Sequence, residues 1–210
     1  MERGTSSRWH SLEQWIPLTF LGAGGLLLGH AVIIGLQAFT NVTVTADVFA
    51  PVGHLLALVG LVGLYPVAND RTPTLARIGA VVAAVLAMGW AVVTLSILAT
   101  TFGNQPPQIE ALLGVFSIVV LVSTVLPYVM FGVVTFRSDV APRCVCLLLL
   151  VPAAMLVVLL ADIAILGAPP AHGVVIGTGL AVSMLTIGHT LRIGEISPER
   201  VSPDSDVTPG

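Results

Sequence analysis

The chain has 210 residues, of which 56% are hydrophobic and only 9% charged, with a mean hydropathy of +1.00 and a net charge of −3. A soluble domain carries about 25% charged residues, so neither a water-soluble globule nor a disordered chain fits this composition. All eight basic residues are Arg, which excludes chemistry on a lysine amine such as a retinal or pyridoxal Schiff base, and the net negative charge argues against a nucleic-acid partner.

A bilayer core of about 30 Å needs roughly 20 apolar residues per helix. In chain order the sequence offers six such runs, predicting an all-α, integral membrane six-helix bundle: 16–39, 48–67, 74–100, 109–136, 144–166 and 172–191. The intervening stretches carry turn chemistry, such as Asn69-Asp70-Arg71-Thr72-Pro73 and Gly103-Asn104-Gln105-Pro106-Pro107. The expected organisation is a cytoplasmic N-terminal segment (1–15), a transmembrane domain (16–192) and a polar, Pro-broken cytoplasmic tail (193–210) expected to be disordered. The first apolar run is longer than the h-region of a cleaved signal, so it is read as a retained span.

Six spans put both termini on one side. On that count Arg3, Arg8, Arg71, Arg77, Arg137, Arg143, Arg192 and Arg200 all fall on the same side, and the three opposite loops carry no Arg. The positive-inside rule then makes both termini cytoplasmic in a plasma-membrane protein. Asn41-Val42-Thr43, the one N-x-S/T triplet, falls on the outer side.

An ionisable group in lipid is costly and is a functional candidate by default. His30, His54, Asp162 and His172 all fall at a similar level in the outer leaflet, with Asp47 and Glu110 just above them and His189 at the cytoplasmic end. A desolvated Asp162 needs a partner, and a histidine is the natural one. Polar side chains also recur at helical spacing. Thr19, His30 and Gln37 share a face of the first span. Glu110, Ser117, Thr124, Tyr128 and Thr135 do so in the fourth, where Pro127 predicts a kink, and His172, Gly179, Ser183, Thr186 and Thr190 do so in the sixth. Such stripes either line a polar interior between spans one, four and six or are ordinary hydroxyls bonded to their own backbone.

The transporter- or channel-like reading takes His30, His54, Asp162 and His172 as an ion- or proton-responsive group. A non-catalytic membrane interaction protein is the first alternative. A haem- or metal-binding protein, with His30 and His54 on facing helices, is the second. No cofactor, catalytic residue or metal-ligating set is expected, since no H-E-x-x-H, G-x-S-x-G or Walker pattern occurs. Cys144 and Cys146 lie two residues apart, about 200° round a helix, too divergent to share a metal ion. Gly25–Gly29 and Gly173–Gly177 form G-x-x-x-G pairs, and Gly53, Gly60 and Gly63 form a small-residue face. Such faces let helices pack closely within a bundle, or join copies in a homo-oligomer. The partner expected throughout is the lipid bilayer.

The stretch His54-Leu-Leu-Ala-Leu-Val-Gly-Leu-Val-Gly-Leu-Tyr-Pro, followed by Asn69-Asp-Arg-Thr-Pro and Leu75-Ala-Arg-Ile-Gly-Ala-Val-Val-Ala, resembles uncharacterised multi-pass membrane proteins of haloarchaea. The resemblance covers spans two and three. It implies a membrane location and an archaeal source, in keeping with the absence of Lys and the acidic tail, and implies nothing about mechanism.

Overall fold

A computed structural model describes residues 15–40, 48–69, 72–103, 107–138, 143–167 and 169–195. The segments around Arg3, Arg8, Asn41-Val42-Thr43, Asp47, Arg71 and Arg200, and the expected disordered tail beyond Glu195, lie outside the described residues. The described residues are helical with no strand: α1 Trp15–Phe39, α2 Phe49–Gly63, α3 Tyr65–Asn69, α4 Pro73–Phe102, α5 Pro107–Ser138, α6 Arg143–Leu166 and α7 Pro170–Glu195.

Five of these (α1, α4, α5, α6 and α7) are long and apolar enough to cross a membrane. The second predicted run departs from the expectation of one continuous helix. It is divided at Leu64 into α2 and the short α3. Pro66 explains the division, because it has no N–H to return to the carbonyl one turn back and its ring crowds that turn. The helical hydrogen bonding continues nonetheless: the Leu64 amide donates to Gly60 and Leu61, and the Ala68 amide to Leu64. From Phe49 to Asn69 the pair therefore rises about 30 Å at roughly 1.5 Å per residue, the depth of a bilayer core.

Local chemistry marks the helix ends. Pro73, Pro107 and Pro170 each open a helix, where a missing N–H costs nothing. Gly167, at φ 69°, takes the left-handed position just past α6, a conformation that only glycine adopts freely. Pro127 and Pro152 sit inside α5 and α6, and both helices continue through them.

The helices form a closed antiparallel ring. α1 packs on α2, α2 on α4, α4 on α5, α5 on α6, α6 on α7, and α7 returns to α1 in the most extensive contact of all. Phe20, Leu27, Leu58, Leu61, Phe131 and Met184, all fully buried, belong to the core that fills the ring. Outward positions are also apolar, for example Val81, Met88 and Leu95 on α4, Leu112 and Val119 on α5, and Val157 on α6. Helices apolar on every side suit a lipid solvent.

Glycines set the closest approaches. A Cβ at Gly24 of α1 would lie 2.6 Å from Leu185 and 2.9 Å from the Ala181 carbonyl, and one at Gly188 of α7 would lie 2.8 Å from the Pro17 carbonyl. Gly53, Gly60 and Gly63 form the small-residue face of α2, set against Leu27, Phe20 and Ile16 of α1. Gly177 of the second G-x-x-x-G pair also meets α1, at Ala31. In the first pair, Gly25 faces open space and Gly29 meets Phe49.

Candidate functional site

The ring has two ends. The upper end carries Phe39, Phe49, Phe102, Pro107, Leu166 and Pro170, and the lower end carries Trp15, Asn69, Pro73, Ser138, Arg143 and Glu195. Arg77, Arg137 and Arg192, all exposed, lie toward the lower end. The upper half holds the ionisable side chains singled out above, but they fall into separate groups.

The first group joins α6 to α7. Asp162 lies one turn before the end of α6, and His172 lies in the first turn of α7. The antiparallel packing brings them together across the Gly167 turn, with His172 Nδ1 2.7 Å from Asp162 Oδ1. The carboxyl side chain is 7% exposed and the imidazole 50%. One end of the pair is therefore sealed in the bundle and the other reaches its surface. The second carboxyl oxygen, Oδ2, is buried and has no protein hydrogen-bond partner. A buried carboxylate oxygen in that state is costly, and it is free to accept a hydrogen bond from a small donor.

The second group lies between α2, α4 and α5. His54, 4% exposed, stacks on Trp90 with ring centroids 4.7 Å apart and an interplanar angle of 21°. The Trp90 indole N–H donates to Thr124 Oγ1 at 3.0 Å, and the Thr124 hydroxyl donates to the Val120 carbonyl at 2.7 Å. Tyr128, one turn further along α5, is fully buried. His54 Nδ1 and the Tyr128 hydroxyl are buried without a hydrogen-bond partner. His30, on α1, is half-buried and lies within electrostatic reach of His54. Among the described residues no three His, Cys, Asp or Glu side chains converge as a metal site.

The remaining polar residues do not face a common space. The stripe of α5 is kept apart from those of α1 and α7, because α5 packs between α4 and α6 while α1 and α7 pack on each other. Gln37 and Thr186 are exposed, whereas Ser183 is buried. Ser183 donates to Leu180 and Thr186 to Val182, within their own helix. Glu110 and Ser117 instead line a cleft between α4 and α5 toward the upper end. The residue that sequence reasoning missed is Trp90. It is the hub of the central polar group, and its position in the apolar run of α4 carries no signal beyond that of one more large core side chain.

Comparison with family models, with curated proteins and with solved structures finds no match for this chain.

Proposed function

We propose that this chain is a multi-pass integral membrane protein of transporter-like type, with both termini in the cytoplasm and the Asp162–His172 pair as its proton- or cation-responsive element. The observation that carries the reading is the pair itself: a buried carboxylate with one oxygen unpartnered, linked at 2.7 Å to an imidazole half open to the surface. Ionisable groups at membrane depth mark ion and proton pathways, and an Asp–His couple with one exposed member offers a route by which a proton passes between the surface and the buried oxygen. The placement of arginines supports the orientation, which puts the pair on the outer side. The resemblance of residues 54–83 to haloarchaeal membrane proteins supports a plasma-membrane location.

A second reading, a non-catalytic membrane interaction protein, is favoured by the tightly filled ring interior and by hydroxyls that bond to their own backbones. Purified protein in proteoliposomes separates the two. The transporter reading expects a proton- or cation-coupled flux under an imposed pH gradient, lost in Asp162→Asn and altered in His172→Gln. A flux that is absent, or unchanged in both variants, sinks that reading and leaves the interaction protein.

A further inference from the structure

A second site stands apart from the Asp162–His172 pair, on α4 and α5 rather than α6 and α7. The cleft between these helices has a volume of about 210 Å³. Val93, Ile97 and Leu113 supply apolar walls, and Ser96, Thr100, Ser117 and Glu110 supply the polar atoms. Each hydroxyl has already committed its proton: Ser96 donates to the Val92 carbonyl at 2.7 Å, Thr100 to Ile97 at 2.8 Å and Ser117 to Leu113 at 2.7 Å. A hydroxyl has one proton and two lone pairs, so all three turn only acceptors toward the cleft. Glu110, when ionised, is also acceptor-only, and it has no ion-pair partner among the described residues.

The helix ends reinforce the polarity. Glu110 sits in the first turn of α5, at the positive end of that helix dipole. Thr100 sits in the last turn of α4, whose free carbonyls form the negative end of that dipole. Among the described residues no basic side chain lines the cleft.

From this arrangement we infer that the cleft binds an organic ammonium ion with an apolar body. The cation answers the carboxylate and the hydroxyl lone pairs, and the body lies on the valine, isoleucine and leucine walls. The volume lies below the roughly 300–1,000 Å³ of drug-sized pockets, so it takes the ammonium head and a small ring or short chain. Outside the cleft the exposed Leu112 and Val115 continue the apolar surface. A phosphate-bearing lipid headgroup is a poorer occupant, because it would bring an anion against Glu110.

Full-length protein in phosphatidylcholine nanodiscs tests this by equilibrium dialysis with three probes that share one aromatic body: 1-naphthylmethylammonium, 1-naphthylmethanol and 1-naphthoate. The expected result is saturable binding of the ammonium probe alone, at one per chain. Glu110→Gln should weaken it at least tenfold, and Glu110→Asp should retain part of it. Gly114→Leu should also weaken it, since Gly114 lines the cleft and a Cβ there would meet nothing within 4 Å, so the new side chain fills the space without a clash. Circular dichroism and gel filtration verify that each variant folds, and Ser117→Leu replaces any that does not. Asp162→Asn should leave binding intact whatever it does to flux. Equal binding of the neutral probe, or unchanged binding in Glu110→Gln, would overturn the proposal in favour of simple partition into lipid. Displacement of the probe when phosphatidylethanolamine, itself an ammonium on an apolar body, replaces half the lipid would keep the ammonium chemistry and overturn only a free ammonium ion as its source.

Discussion

Trp90 does two things with one side chain: its face covers the His54 imidazole and its N–H binds Thr124. The two roles can be separated. Trp90→Phe keeps an aromatic face for His54 and removes only the indole hydrogen bond. Thr124 still donates to Val120, so no buried donor is orphaned, and the expected loss is about 1 kcal/mol. Trp90→Ala removes the face as well and opens a cavity in a filled ring, for an expected loss of about 3–5 kcal/mol. Thermal unfolding of both variants in one detergent gives the order. Equal losses would mean that the stack on His54 contributes nothing.

The Asp162–His172 pair invites a similar comparison. His172→Ala leaves both carboxyl oxygens without the imidazole, at an expected cost on the order of 1–3 kcal/mol, whereas Asp162→Leu removes the buried polar group together with its need for a partner and should be close to neutral. The shared depth of His30, His54, Asp162 and His172 is legible in the sequence, because depth follows from counting residues along each span. Which histidine meets Asp162 is not legible. That depends on how each helix is rotated about its axis: α6 is apolar on nearly every face, and the polar stripe of α7 mixes a buried Ser183 with an exposed Thr186, so periodicity does not fix the rotation.

At the scale of elements, the glycines govern how near the helices come. Gly188 faces backbone, with the Pro17 carbonyl 2.8 Å and the Leu21 amide nitrogen 2.9 Å from where a Cβ would stand. Backbone cannot rotate away as a side chain can. Gly188→Ala should therefore push α1 from α7 and destabilise the bundle by about 1–3 kcal/mol, the usual range for overpacking. Gly25, on the same helix as Gly24, faces nothing within 4 Å. Gly25→Ala should be neutral or stabilising by up to about 1 kcal/mol, through helix propensity alone. Opposite signs in heat-inactivation midpoints are the expected outcome, and a loss at Gly25 equal to that at Gly188 would contradict this assignment of contacts. The spacing of Gly25 and Gly29 marks a small-residue motif, yet it is Gly24 that enters the contact with α7. One residue is 100° on a helix, and a motif found by spacing alone does not say which face its neighbours cover. The division of α2 from α3 was legible at Pro66, although a count of apolar residues passes straight over it.

For the whole molecule, the ring closes because the first and last long helices, α1 and α7, are matched along their length by small residues. Antiparallel neighbours in chain order with an antiparallel closure require an even number of crossings. Within the ring the broken α2–α3 segment therefore runs from the upper end to the lower end as the long helices do, despite the 15-residue length of α2. If it stopped short and turned back, α4 and the helices after it would run the other way, and Arg77, Arg137 and Arg192 would part from Arg3 and Arg8. The helical runs could be counted from composition, since apolar length is a local property. The closure could not, since it depends on contacts between residues more than 150 positions apart, such as Leu21 and Gly188. Single cysteines in a background with Cys144 and Cys146 changed to Ser test the count. Thr40→Cys at the upper end, before α2, should react with a membrane-impermeant maleimide added to intact cells, and Thr74→Cys at the lower end, after α3, should react only after the membrane is opened. Labelling of both from outside would mean an odd number of crossings, with α2–α3 lying along the membrane instead of through it. The arginines would then divide between the two sides, and the orientation, with the outward placement of Asp162 and His172, would fall with it.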